Sequence, residues 1–380
     1  MIFDYETFKI IWWLFLGVLL IGFVLTAGFD LGAGTLLPFL GKKDEERRVI
    51  IHSIDPTWEG NQIWLILGAG AVFAAWPLIY AASFSGFYMA MMLALFALVL
   101  KPAGFKFRSK MPDPRWRNVW DWVLFVGGAV PALIFGVAFG NLLQGVPFHY
   151  DDTLRSFYTG SFFGLLNPFG LLAGLVSLAM VVMHGAVFLL IKTEGEIQAR
   201  AQRALRVSGI LFIALFAIGG VWVAYGIDGY RIVSMPDANS AITPLQKTVE
   251  TASGIWMANY KLYPWMVLAP AAGFVGAFAA LILAARDQVG RAFVASSIAV
   301  SSVVLTAGFA MFPFMMPSST NPNHSLTVWD GGSSHLTLSW MFWATLVFLP
   351  IVIAYTSWVF HVMRGKVTVK DVRRDEHTAY

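Results

Sequence analysis

Between Arg47 and Trp64 the chain reads RRVIIHSIDPTWEGNQIW, which sets His52, Asp55 and Glu59 in otherwise apolar surroundings. Counted from His52, Asp55 is at i+3 and Glu59 at i+7, so on a helix the three share one face. An imidazole and two carboxyls grouped in this way can take up, hold and release protons. Asp30, in GFDLG at 28–32, is a fourth candidate. Each has a plainer alternative. Asp55-Pro56 has the form of a helix N-cap followed by proline at the first helical position. Asp30 lies towards the end of an apolar run and could simply meet Lys42 or Lys43. Glu59 is a full turn further in. A carboxylate there costs a few kcal/mol unless it is paired, hydrated or protonated. Burial favours the neutral form of a carboxyl, which suits a group that loads and unloads protons. The plainer alternative for Glu59 is a hydrogen bond to a partner helix.

His184 is the lone histidine in the middle of an apolar run. Its type permits a haem or metal ligand, yet a single buried histidine is more commonly a hydrogen-bonded packing residue. His52 adjoins a basic segment, and His149, His324, His335, His361 and His377 fall in loops, near span ends or in the tail. No two histidines stand at helical spacing inside an apolar run, so a haem held between two of this chain's own residues is not expected. There is no cysteine, which excludes disulfides, thiolate catalysis and thiolate-held zinc or iron–sulfur centres. GxGxxG, P-loop and HExxH patterns are absent as well.

The elements that must carry these groups follow from composition. The chain has 380 residues, 58% hydrophobic and 13% charged, against about 25% charged in soluble proteins. Apolar runs of about 20 residues recur along its length, the mark of an all-α polytopic membrane protein. The ten-residue alternation of a membrane barrel is missing. The N-terminus, MIFDYETFKI, is acidic where a cleaved signal would be basic, so the first run is expected to stay as a span.

Nine spans are expected, at about 7–31, 48–76, 81–100, 120–143, 162–191, 207–225, 262–284, 292–316 and 336–363, in one integral membrane domain covering 1–380. The second is fixed by length. Trp76-Pro77 breaks the apolar stretch, and starting after Asn61 would leave only about 15 residues, too few for a core about 30 Å thick. Asp55 and Glu59 therefore fall within the membrane zone or at its edge. Pro264 and Pro270 are expected to kink span seven. The connection at 227–261 has room for a short surface helix. Gly28 and Gly32 form a small-xxx-small pair that admits a close helix neighbour.

Of the 26 lysines and arginines, 21 lie in the loops after spans one, three, five and seven and in the tail. That asymmetry places the N-terminus outside, the C-terminus in the cytoplasm and the start of span two on the cytoplasmic side. The net charge of +4 thus marks topology, not nucleic-acid binding. Fifteen tryptophans, many near span ends, read as interfacial anchors. FVLTAGF at 23–29 recurs as VVLTAGF at 303–309, and WEGN at 58–61 loosely as WDGG at 329–332. A duplicated bundle or a shared packing motif explains this equally.

Several blocks together resemble one family: IWWLFLGVLLIGF, GFDLG, WEGNQIWLI at 58–66, FAAWPLIYAASFSGFY at 73–88, FGNLLQGVPF at 139–148, NPFGLLAGL at 167–175, GIDGY at 226–230 and TAGFAMFPFMMPSS at 306–319. Along essentially its whole length the chain resembles subunit II of cytochrome bd-type quinol oxidases. The resemblance implies a haem-free subunit, not catalytic alone, of a respiratory complex in the bacterial inner membrane. That complex oxidises quinol, reduces dioxygen to water and draws protons from the cytoplasm. Haems b and haem d are expected in the partner subunit I, with one or more small single-span subunits alongside, membrane lipid around them, and in some relatives a structural quinone in subunit II. The acid of the family's W-[DE]-G-N-Q motif, here Glu59, belongs to a proton route, and Trp64 to an apolar route for dioxygen. Many relatives read DGFD where this chain has Ala27-Gly28-Phe29-Asp30, which leaves Asp30 as the sole carboxylate of that motif. Asp55 is an acid that several relatives lack. The alternative from another class is a proton-coupled secondary transporter using Glu59 and Asp30 as coupling sites.

Overall fold

The computed structural model describes residues 2–374, so His377 lies outside the described residues. Asp4 caps the first helix by accepting a hydrogen bond from the Thr7 amide, and α1 then runs Tyr5–Leu40, past the expected end and through Pro38. Thirty-six residues at 1.5 Å each give about 54 Å, well beyond the apolar thickness of a bilayer. Asp30, a full ten residues before its end, is therefore interior rather than terminal.

After a three-residue turn, α2 (Asp44–Ala75) folds back along α1. It ends where expected, at Trp76-Pro77, because proline offers no amide to continue the ladder. The third span is two helices, α3 (Pro77–Gly86) and α4 (Tyr88–Phe107), divided at Phe87. α4 carries on past Pro102, so Lys101 belongs to a helix and not to the basic loop expected there. The remaining helices are α5 (Pro114–Gln144), α6 (Pro168–Lys192), α7 (Gly195–Tyr225), the short α8 (Ala258–Leu262), α9 (Leu268–Ala285), α10 (Val289–Met311), α11 (His335–Val362) and α12 (Val369–Arg374). Pro264 and Pro270 kink nothing. Pro264 opens the 3-10 turn before α9, and Pro270 sits in the first turn of α9, where its missing amide costs no helical bond.

Eight helices among the described residues are long and apolar enough to cross a membrane. The 32-residue α2 falls short of that measure, its first half being the polar stretch singled out above. α1 is the central post, packed on α2, α5, α6 and α10. Its crossing with α6 is backbone against backbone: a Cβ on Gly32 would sit 3.0 Å from the Gly185 Cα, and one on Gly185 would sit 2.7 Å from the Gly32 Cα. This is the close approach that the small-residue pattern predicts, with Gly32 the tighter member.

The two ends of the bundle differ. One end carries three two-stranded antiparallel hairpins, β1–β2 (Phe148–Tyr150, Ser156–Tyr158), β3–β4 (Asp228–Ser234, Thr248–Ser253) and β5–β6 (Phe314–Met316, Leu326–Thr327). The buried Lys247–Asp330 pair at 2.9 Å joins the second and third hairpins, the Tyr150 amide donates to His324 Nδ1 to join the first and third, and Lys9 of α1 donates to the Ala238 carbonyl in the β3–β4 connection at 2.8 Å. The WDGG echo falls in this end region, outside any helix, whereas WEGN lies within α2, so the two segments are not structural equivalents. At the other end the first turn of α2 is an ionic hub. Asp44 meets Arg108 and Arg117, Glu45 meets Arg373 of α12, and Glu46 meets Arg200 of α7. Asp121 on α5, fully buried, is bonded by Arg47 at 2.6 Å and Arg108 at 2.5 Å. Three acids at a helix N-terminus also complement its dipole. The start of α2 is thus tied to four other segments of the chain, the turn after α4 and helices α5, α7 and α12.

Candidate functional site

Because α2 begins at Asp44, Asp55-Pro56 is helix interior, not a start. The N-cap is Lys43, and the capping role weighed for Asp55 is overturned: charge complementarity at the hub nucleates the helix three turns earlier. His52 and Asp55 are half-buried on one side of α2, and Glu59 is exposed. Glu59 shares its outward face with Ile63, Ile66, Leu67 and Phe73, all exposed. One carboxyl thus stands in an otherwise apolar stripe that this chain leaves uncovered.

The opposite face of α2 meets Asp30. Asp30 is 0% exposed, and its Oδ2 accepts a hydrogen bond from the Asn61 side chain at 2.6 Å. It does not meet Lys42 or Lys43. The cation within electrostatic reach is Lys101 of α4, also 0% exposed, whose ammonium stands 6.0 Å from the centre of the Trp58 ring. Asn61 and Lys101 escaped the sequence reading. The Lys-Pro dipeptide signals a loop, and only tertiary packing carries α4 through it. Asn61 was visible inside WEGNQ but has no ionisable group to draw notice. Asp30 and Glu59 are therefore brought to opposite sides of one helix, two residues of α2 apart through Asn61.

His184 has both ring nitrogens engaged, Nδ1 with the Ser296 hydroxyl at 2.9 Å and Nε2 with the Leu25 carbonyl at 3.0 Å, and it stacks on Phe293. It joins α6 to α10 and α1, a packing role that leaves no nitrogen for a ligand. Trp64 is buried with its indole against Gly22 of α1, where an added Cβ would come 2.4 Å from the ring. Its neighbour Leu65 borders a cavity of about 460 Å³, lined by Phe23, Phe135, Phe139, Phe216, Tyr260 and other chiefly apolar groups. Among the described residues no group of three or more histidines, cysteines, aspartates or glutamates could hold a metal ion.

The sequence profile described as cytochrome bd terminal oxidase subunit II matches residues 8–363. The chain is 51% identical to cytochrome bd-I ubiquinol oxidase subunit 2 of Escherichia coli (strain K12) over 377 residues, 99% of this chain and 100% of that protein. A probable cytochrome oxidase subunit 2 of Haemophilus influenzae is 47% identical over the same shares. The fold is similar to a chain of the bd oxidase from Geobacillus thermodenitrificans, with a TM-score of 0.70 and 17% identity, covering 94% of this chain and 98% of that one. With eight long apolar helices and a match along nearly its full length, the chain is a multi-pass membrane protein that belongs to the cytochrome bd terminal oxidase subunit II family.

Proposed function

We propose that this chain serves as the haem-free subunit of a quinol:dioxygen oxidoreductase in a bacterial inner membrane, and that it supplies a proton route through Glu59, Asp30 and Asp55. The hub end of the bundle, where the basic residues concentrate, faces the cytoplasm. The carrying observation is that Glu59 is exposed within an apolar stripe of α2. A carboxylate facing lipid costs a few kcal/mol, so that stripe packs against another protein, and the haem-bearing subunit I is the partner whose dioxygen chemistry consumes protons. Haems b and d reside in that subunit, and small single-span subunits complete the complex. Asp55, half-buried one turn nearer the hub, feeds Glu59. Asp30 forms the inner branch of the route, reached through Asn61. The cavity beside Trp64 gives dioxygen an apolar way in from the bilayer, and it has room for the isoprenoid tail of a structural quinone. Family membership sets the transporter reading aside. The test is Glu59→Gln in the assembled complex: quinol-driven oxygen consumption falls more than tenfold with the haem spectrum unchanged, and an unchanged rate would make Glu59 a structural residue.

A further inference from the structure

Four lysine or arginine side chains are buried among the described residues: Lys9, Lys101, Arg108 and Lys247. Three make direct hydrogen bonds, although Arg108 Nη1 is left without a partner among the described residues. Lys9 donates to the Ala238 and Ser240 carbonyls, Arg108 is bonded to Asp121 and Asp44, and Lys247 meets Asp330 and the Pro244 carbonyl. Lys101 is the exception. Its ammonium has no hydrogen-bond partner among the described residues, although it lies within electrostatic reach of Asp30. Asp30 shows the matching deficit: Oδ2 accepts from Asn61, while Oδ1 accepts nothing. Three further donors on α2, Trp58 Nε1, Gln62 Nε2 and Trp64 Nε1, are also buried without a hydrogen-bond partner among the described residues, and Trp58 is the one whose ring stands near the Lys101 ammonium.

The Lys101 side chain is accommodated by the fold. Its stem lies over Gly127 of α5, where a Cβ would come 2.7 Å from the Lys101 Cγ, and the Trp58 ring stands near its head. Buried ions and amides of this kind are tolerated only when their remaining hydrogen-bonding capacity is met. A direct ion pair would lock both charges together. A cation held near Asp30 without bonding to it offsets the cost of a carboxylate there and leaves one carboxylate oxygen able to exchange a proton.

We propose that Lys101 is a positioning residue for the proton route: its ammonium, Asp30 Oδ1, Trp58 Nε1 and Gln62 Nε2 bound a polar pocket between α1, α2 and α4 that takes water, and Lys101 holds the Asp30 carboxylate in a form that accepts and releases protons. The step is a proton transfer alone. A proton entering from the cytoplasmic side is relayed along water, so that each water gains one O–H bond as it gives up another and the last O–H bond forms on Asp30, and Asp30 later gives its proton onward with no change in redox state.

This rests on the reading of Glu59 and Asp30 as a proton route, and the experiment separates the two. Proton uptake by the reduced complex after mixing with dioxygen is followed with a pH-sensitive dye, beside the haem spectrum and the KM for quinol. Lys101→Met is expected to slow uptake at least tenfold with the KM for quinol unchanged, and Lys101→Arg to keep at least half the native rate. Native uptake in Lys101→Met, with Glu59→Gln slow, overturns the role of Lys101 and leaves the Glu59 reading standing. Native uptake in Glu59→Gln overturns that reading instead, and with it this one. If Lys101→Met does not assemble, Lys101→Gln is measured in its place, where slowed uptake supports the role and native uptake overturns it. Failure of both neutral variants to assemble would assign Lys101 to packing.

Discussion

The Asn61 side-chain amide donates to the Asp30 carboxylate across 2.6 Å, and this single bond ties the polar interior of α1 to the helix that presents Glu59. Along α2, two residues separate Asn61, which closes over the buried Asp30, from Glu59, which is exposed on this chain. The bond has an energetic consequence. Asn61→Leu leaves a buried carboxylate without its one donor, a loss of about 1–3 kcal/mol. The purified complex is expected to unfold at lower temperature, while Asn61→Asp, with two acids in contact, is expected to be worse still.

Glu59 is exposed on this chain, and what it feels within the chain is the like charge of Asp55, so its replacement removes no attraction there. Glu59→Gln is therefore expected to slow oxygen consumption more than tenfold while the thermal midpoint stays close to that of the native complex. Glu59→Asp, which keeps the carboxyl, is expected to retain substantial activity. A large drop in the midpoint would show that Glu59 acts through assembly.

Asp55 caps nothing, because α2 begins at Asp44. Asp55→Asn is thus expected to spare the roughly 1 kcal/mol that loss of a cap would cost. Its effect should appear in the rate of proton uptake instead. Equilibrium unfolding and uptake kinetics on the same variant decide between them.

The apolar cavity invites a filling variant. Gly220 lines it, and an added Cβ there meets nothing within 4 Å. Gly220→Phe is expected to raise the KM for dioxygen severalfold, with turnover at saturating dioxygen little changed. An unaltered KM would remove the cavity from the gas route.

At the hairpin end, His324 Nδ1 accepts a hydrogen bond from the Tyr150 amide at 3.0 Å, which requires that nitrogen to be unprotonated. Partial burial, the nearby His149 and Lys247 all hold His324 below its ordinary value of 6.5. The folded loop therefore favours the neutral ring. Its stability is intact above about pH 6.5 and falls as the pH drops below that value, where the unfolded segment binds the proton first. Hydrogen-exchange protection at the Tyr150 amide should decline between pH 7.5 and 5.5, and His324→Gln should flatten that dependence.

The helical class and eight of the nine expected crossings were legible because a bilayer imposes its thickness on every apolar run, while α2, which length arithmetic carried into the membrane zone, is too polar in its first half to rank among them. Glu59 and Asp30 were visible for the same reason: charge is costly where the runs are apolar. Lys101 was hidden because Lys-Pro reads locally as a loop. The helix continues through it because packing on α5, at Gly127, compensates for what Pro102 takes away. The Asp55 cap was the opposite error, a local signal overridden by the ionic hub three turns upstream.

Composition, span lengths and the WEGNQ and GFDLG blocks by themselves determined a polytopic helical protein, its family and the acids worth testing. Which way those acids face was decided only by tertiary structure. A helix has a lipid side, a bundle side and a partner side, and which is which depends on the neighbours that pack against it. The helical period sets Asn61 and Glu59 on different faces of α2. Only the packing of α1 shows that one face closes over Asp30 while the other is left open.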